Sequence, residues 1–240
     1  MQRLITDFDG PIMDVSERYY RVYQFCLEKI CEPGQEIKEL PKADFWALKR
    51  SQIPETEIGR LSGLEPSQVK DFAHLRRQTV HTIPYLSYDC LQPEAIPALE
   101  AAQNAGVDIV VMTMRRVREL NEALDNATQG SHHRVNLHRF FPPQNRYCLG
   151  NDYIKTGDTN DKPLLMARAL QELPPATTTW MVGDTEADII AAKTHGVKVI
   201  GVLCGIRNQN QLEKHQPDLI MPNLQDAVNF LLSQSWWHQP

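Results

Sequence analysis

One stretch constrains the chain more than any other: Leu4-Ile5-Thr6-Asp7-Phe8-Asp9-Gly10-Pro11-Ile12-Met13-Asp14. It opens as an apolar run and stops abruptly in carboxylates. Leu4 and Ile5 read as the interior of a buried first strand. Gly10 and Pro11 end it, because Pro has no N–H for a ladder and Gly permits an unusual turn. Residues two apart in extended chain point to the same side. Asp7 and Asp9 therefore face one point beyond the strand's C-terminal end, where parallel α/β sheets bind ligands. Two carboxylates held close together are costly unless a cation or a shared proton relieves them. Mg2+, hard and oxygen-seeking, is the natural relief. Taken alone, Asp7–Gly10 is equally well a polar turn, so the rest of the chain must decide.

At 240 residues the chain can bury one large core or two small ones. An apolar content of 42% and a charged content of 23% describe an ordinary globular protein. The net charge of −5 gives no reason to expect nucleic acid or an anionic membrane as partner. An anionic substrate must then be held by local cations. Cys26, Cys31, Cys90, Cys148 and Cys204 form no tight cluster. That disfavours a zinc site and suits reduced thiols in a cytoplasmic protein. The first strand starts almost at once, leaving no room for a signal peptide, and no apolar run is long enough to span a bilayer.

From Val15 to Tyr88 strand-like runs are missing. Residues 17–30, 42–52, 55–62 and 66–79 read as helices, punctuated by Pro33-Gly34, Pro41, Pro54 and Gly63. This is a helical domain, 15–88, inserted into a core made of 1–14 and 89–240. Lys42, Lys49 and Arg50 lie along one of its helices and reach either a phosphate or, more commonly for such residues, only solvent.

Beyond Leu91 the pattern alternates. A helix over 93–105 stops at Gly106, and a near-continuous apolar strand over 107–112 follows, as parallel strands require. It leads into Thr113-Met114-Arg115-Arg116. Helix 117–126 precedes an exposed connection, 129–136, whose His132 and His133 read as solvated and not as ligands. Strand 146–149, polar loop 150–161, helix 162–173 and strand 178–182 come next. The last of these ends in Gly183-Asp184-Thr185-Glu186-Ala187-Asp188. Helix 187–195, strands 198–202 and 218–221, and helix 224–232 complete the pattern. The tail carries Trp236 and Trp237, suited to docking on the body or on a second subunit.

Polar groups thus follow successive strands or open helices: Asp7 and Asp9, Thr113, Lys162, then Asp184 and Asp188. In a parallel sheet the strand C-termini share one edge, so these side chains converge. On these residues the chain resembles the haloacid dehalogenase (HAD) superfamily. The motifs are Asp7-Phe8-Asp9-Gly10, Val110-Val111-Met112-Thr113, Lys162-Pro163 and Gly183–Asp188, in the family's order and across essentially the whole chain. The helical insert after the first motif resembles the family's cap, as in the phosphoglycolate phosphatase and beta-phosphoglucomutase-like subgroup.

The resemblance implies an α/β fold: a Rossmann-like parallel sheet flanked by helices, with a small all-helical cap. It implies a cap hinged near 14–16 and 88–92. It also implies a phosphohydrolase acting on a small phosphorylated metabolite. Asp7 would attack phosphorus and form an aspartyl-phosphate, and Asp9 would protonate the leaving oxygen and then activate water. Mg2+ would be bound by Asp7, the backbone carbonyl of Asp9 and Asp184. Asp188 would steady Lys162 or a metal-bound water. Gly10, Thr113, Met114, Arg115 and Lys162 would surround the substrate phosphate, with Lys162 supplying charge.

Three features depart from the family pattern. Pro11 stands where Thr or Val is usual and removes an N–H. Met114 stands where Asn or Gly is usual. Lys155 is a rival to Lys162. A phosphomutase, a phosphonatase using a cap lysine such as Lys42 or Lys49, and a non-catalytic binding protein remain open; Asp9, suited to a leaving oxygen, argues against a dehalogenase.

Overall fold

The computed structural model describes residues 1–129 and 133–234. His132, Trp236 and Trp237, singled out from the sequence, lie outside the described residues. Two compact units result, one of Met1–Asp14 with Cys90–Pro240 and one of Val15–Asp89.

The first unit is built on a six-stranded sheet in which every pairing is parallel. Its strands are β1 (Gln2–Thr6), β2 (Asp108–Arg116), β3 (Arg146–Leu149), β4 (Thr178–Gly183), β5 (Lys198–Val202) and β6 (Leu219–Met221). The spatial order is β6-β5-β4-β1-β2-β3. β1 lies inside the sheet with Leu4 and Ile5 buried on opposite faces. Ile5 is in register with Val110 on one side and Met181 on the other. Around it, Val110, Met112, Met166, Met181, Ile189 and Val199 form the buried core. The chain adds β2 and β3 on one side of β1, then returns to add β4 on the other. The switch in direction therefore falls between β1 and β4, where such sheets open a crevice for ligands.

Several local expectations need correction. β2 does not end at Met112 but runs to Arg116, with an irregular register against β3 between Met112 and Arg116. Thr113 is thus inside a strand that kinks, as strands do at such irregularities. The helix expected from Lys162 begins at Asp158 and carries Pro163 within it. Its first turn is held by Asp161, whose carboxylate accepts from the Thr156 N–H, the Thr156 hydroxyl and the Gly157 N–H. The connection over 129–136 contains a short antiparallel ribbon, Thr128–Gln129 with His133–Arg134.

The second unit contains only helices: Ser16–Ile30, Lys42–Arg50, Glu55–Leu61, Val69–Thr79 and Ile83–Leu86. The last was not apparent in the sequence, being a single turn opened by Pro84. The helices close on an aromatic core. Tyr23 stacks on Phe45 with ring centroids 4.6 Å apart, and Phe72 meets Tyr23 edge-on at 6.3 Å. The Tyr23 hydroxyl is paired with the Ser62 hydroxyl at 2.8 Å and accepts from the Leu40 N–H at 2.8 Å. Lys42 is paired with Glu17 at 2.8 Å, and Lys49 with Glu55. Among the described residues no helix is long and apolar enough to cross a membrane.

Candidate active site

At the C-terminal end of β1 the backbone turns sharply. Gly10 donates to the Met13 carbonyl at 2.8 Å, while Ile12 and Met13 donate to the Phe8 carbonyl at 3.2 and 2.9 Å. No bond of this turn needs an N–H at position 11, so Pro11 fits it without loss. Gly10 has φ +94°, and a Cβ there would stand 2.3 Å from Asp184 Cγ. Only glycine satisfies both conditions.

The turn presents Asp7, which is 6% exposed. Its Oδ1 accepts from the Phe8 N–H at 2.7 Å, and its Oδ2 lies 2.8 Å from Lys162 Nζ. Lys162 is itself 1% exposed and also meets Asp188 Oδ1 at 2.5 Å. Lys155, the rival, lies 3.9 Å from Asp158. Asp188 is fixed from its other oxygen: Oδ2 accepts from the Thr185 N–H at 3.0 Å and the Thr185 hydroxyl at 2.7 Å. This capping box starts the helix Glu186–Thr194. Asp184, at the end of β4, directs Oδ2 to the Ile206 N–H at 2.6 Å.

Asp7, Asp184 and Asp188 each offer an oxygen within 4.8 Å of the others. Burial raises Asp7 well above the ordinary carboxylate range, Lys162 pulls it back, and Asp188 and Asp184 add to the rise. Burial also pushes Asp184 up to about 7, reinforced by the charge of Asp188. Burial alone would lower Lys162, but Asp188 and Asp7 outweigh it and hold the ammonium charged. Three carboxylates against one ammonium leave excess negative charge in a dry place, which bound protons or a divalent cation can cancel. Hard oxygen donors at this spacing fit Mg2+. Both oxygens of Asp188 are engaged, by Lys162 and Thr185, and so are both of Asp7, by Phe8 and Lys162.

The remaining expected residues sit as follows. Asp9 is more exposed than Asp7, and its Oδ1 takes Arg115 Nε and Nη2, each at 2.7 Å. Arg115 is 3% exposed, with its guanidinium 5.1 Å from the Phe8 ring centroid. It is therefore a partner of Asp9 within the site's wall. Thr113 is 2% exposed and its hydroxyl accepts from the Arg115 N–H at 3.2 Å. Met114 is half-buried. Arg116 turns away, with Nη1 donating to the Gly150, Asn151 and Tyr153 carbonyls.

Sequence reasoning missed the loop after β5. Its Ile206 N–H holds Asp184, and Gly205 passes so close that a Cβ would stand 1.9 Å from Asp184 Oδ2. Arg207 clamps the loop by donating to Glu186 from Nε at 2.7 Å and from Nη2 at 2.9 Å. The available signal was Cys204-Gly205 directly after a strand of the same sheet.

A family model described as HAD-hydrolase-like matches residues 161–227. "Probable phosphatase IndB" of Dickeya dadantii is 42% identical over 232 residues, covering 94% of this chain and 91% of that protein. A phosphoglycolate phosphatase of Pseudomonas fluorescens is 24% identical over 136 residues, covering 57% of this chain. The match spans only 45% of that enzyme's own length. Among solved structures, a haloacid dehalogenase-like family hydrolase of Streptococcus pneumoniae superposes with a TM-score of 0.64 at 18% identity. That superposition covers 96% of this chain and 98% of the other, and shows a shared fold.

Proposed function

The chain belongs to the haloacid dehalogenase-like hydrolases, and on that premise we propose that it is a Mg2+-dependent phosphatase of a small phosphorylated metabolite. The observation that carries this reading is the buried meeting of Asp7, Asp184 and Asp188, with Lys162 paired to Asp7 and Asp188. When bound, Mg2+ supplies the positive charge that lets a carboxylate approach a phosphate.

The chain's own groups then divide the work. An oxygen of Asp7 attacks phosphorus, the bond to the leaving oxygen breaks, and that oxygen takes a proton from the Asp9 carboxyl group. Asp9 next removes a proton from water, whose oxygen attacks phosphorus and releases phosphate from Asp7. Lys162 neutralises charge on Asp7 and on the phosphoryl oxygens. Asp188 aims Lys162 from the first turn of its helix. Thr113 offers its hydroxyl to a phosphoryl oxygen, and the backbone around Gly10 borders the same space. Arg115 orients Asp9, the residue that must face the leaving group. The atoms on offer to the cation are a carboxylate oxygen from each of Asp7 and Asp184 and the backbone carbonyl of Asp9.

The phosphonatase reading loses support, because Lys42 and Lys49 are both ion-paired in the helical unit. The test is phosphate release from a panel of phosphorylated sugars, glycolate, nucleotides and p-nitrophenyl phosphate, in Mg2+ and in EDTA. Release that needs Mg2+ and vanishes in Asp7→Asn is the expected result. Transfer of phosphate to a second sugar hydroxyl would identify a mutase instead. Folded, Mg2+-loaded protein that releases nothing would overturn the proposal.

A further inference from the structure

Gln92 lies outside the charged motifs of the family resemblance, at the end of an expected hinge stretch, yet it touches both loops that frame the carboxylates. It directly follows Cys90–Leu91, a two-residue strand paired antiparallel with Met13–Asp14. Its backbone N–H donates to the Ile12 carbonyl at 2.8 Å. Its side chain is buried, and Nε2 donates to the Gly10 carbonyl at 3.0 Å and to the Cys204 carbonyl at 3.0 Å. Two carbonyls converging on one carboxamide fix its orientation, since only the NH2 end can serve both. The same two loops are joined a second time, by Cys204 Sγ against the Gly10 carbonyl at 3.4 Å.

The two carbonyls belong to the two segments that flank Asp7 and Asp184. One carries Asp7, Asp9 and Gly10. The other carries Gly205, which clears space for Asp184, and Ile206, whose N–H holds it. Asp7 and Asp184 repel each other, so their separation must be set by the loops behind them and not by mutual attraction. A carboxamide bridging those loops is a spacer of fixed length. An apolar side chain of the same length would leave the Cys204 carbonyl without the carboxamide donor and the Gly10 carbonyl with the weak Cys204 thiol contact in its place.

We infer that Gln92 is a positioning residue of the phosphatase site, setting the spacing between the Gly10 loop and the Cys204–Ile206 loop and so between Asp7 and Asp184. The inference rests on the phosphatase reading and adds to it a residue outside the charged motifs.

The experiment uses the full chain, native and with Gln92→Met, which keeps length and removes both donors. Gln92→Glu is the second variant, isosteric and without the NH2 group, for use if the first does not fold. Three readouts are taken: the Mg2+ concentration for half-maximal thermal stabilisation, kcat and KM with p-nitrophenyl phosphate, and backbone hydrogen exchange. The expected result is a rise in the Mg2+ half-point of about tenfold, the scale on which groups orienting a ligating carboxylate act. With it, kcat falls by about tenfold while KM moves less than about threefold, as befits a group that shapes the site without touching substrate. Exchange quickens in residues 203–207 and 9–13. A native chain that responds to Mg2+ and turns over, with variants within about twofold on every readout, would overturn the role of Gln92 alone. A native chain with neither Mg2+ response nor turnover would overturn the phosphatase reading, and Gln92's role with it.

Discussion

Each unit of the molecule buries ion pairs, and the two strike opposite balances. In the helical unit a single carboxylate, Glu55, takes both Lys49 and Arg76. In the sheet unit a single ammonium, Lys162, takes both Asp7 and Asp188, and Asp184 brings a third carboxylate within 4.8 Å of theirs. The helical cluster is spread over aromatic faces: Arg76 lies 5.3 Å from the Phe45 ring centroid and 5.8 Å from that of Tyr19, and Lys49 lies 5.7 Å from Tyr19. It ties helices Lys42–Arg50, Glu55–Leu61 and Val69–Thr79 together, and its surplus cation is eased by ring quadrupoles. The sheet cluster has no such easing. Its surplus is negative, and backbone N–H groups of Phe8 and Ile206 are arranged to receive it. One cluster is a brace; the other gathers the oxygen donors that the proposed reaction centre calls for.

The sharpest way to break this comparison is Asp7→Asn. If the sheet cluster were a brace, the change would mainly destabilise the fold. If it is a reaction centre, phosphate release falls about 10³-fold or more, roughly 4 kcal/mol of transition-state stabilisation, while the unfolding midpoint in EDTA holds or rises because one repelling charge is gone. Parallel urea melts and turnover measurements separate the two.

Glu55→Gln tests the other side. It leaves Lys49 and Arg76 beside each other without their carboxylate. Removing one partner of a buried pair costs about 3–5 kcal/mol; with Glu55 partly exposed, solvent screening reduces this to about 1–2 kcal/mol. The loss should appear in urea denaturation. Retained stability would mean that the aromatic core of Tyr23, Phe45 and Phe72 carries the helical unit unaided.

What was legible in the sequence divides along the same line. Asp7, Lys162, Asp184 and Asp188 could be placed together because each is a charged side chain next to a strand end or early in a helix, and a parallel sheet gathers such positions at one edge. Several of the parts that stayed hidden act through the backbone. Ile206 serves by its N–H, and Gly205 by lacking a side chain. Gln92 serves through carbonyls of Gly10 and Cys204, the latter 112 residues away. The pairing of Arg115 with Asp9 joins residues 106 apart, a distance over which no local spacing rule speaks. The start of the helix at Asp158 was masked because Pro163 resembles a first-turn proline, whereas Asp161 and Gly157 set the true beginning. In the helical unit the apolar pattern showed helices but not the Glu55 brace, since surface-type residues carry no mark of which partner they will meet.

A smaller effect sharpens the account of the sheet cluster through pH. Burial, with Asp188 beside it, lifts Asp184 to about 7, above the value near 3.9 expected of an unfolded Asp. Between those values the folded state binds more protons than the unfolded one. Stability in EDTA is then fully present at low pH and falls as pH rises through about 7, by at most about 1.4 kcal/mol per pH unit for one group. Asp7, raised by burial in the same direction, adds to the trend. Saturating Mg2+ should flatten it, because the cation replaces the proton, and Mg2+ affinity should strengthen over the same pH range. Thermal melts from pH 5 to 8 with and without Mg2+ measure this. A metal-free stability that instead rises with pH would mean that the cluster is compensated within the protein.

The smallest expected effect is at Lys42, and it tests what the helical unit's lysines are for. Lys42 meets Glu17 at 2.8 Å, with the lysine side chain 41% exposed. Glu17 is held below its ordinary value by its hydrogen bond from Lys42 first, with a further contribution from Arg21. An exposed pair of this kind contributes about 0.2–1 kcal/mol and weakens with salt. Lys42→Ala should therefore lower stability by no more than that, with the difference shrinking in 1 M NaCl. Turnover of p-nitrophenyl phosphate should be unchanged, because a surface pair offers no group to the reaction. A lysine that forms an imine with substrate would behave otherwise: borohydride with a phosphonoaldehyde would inactivate the native chain irreversibly and spare Lys42→Ala. Protection of that kind would make Lys42 a reacting group and put chemistry in the unit whose charges are otherwise a brace.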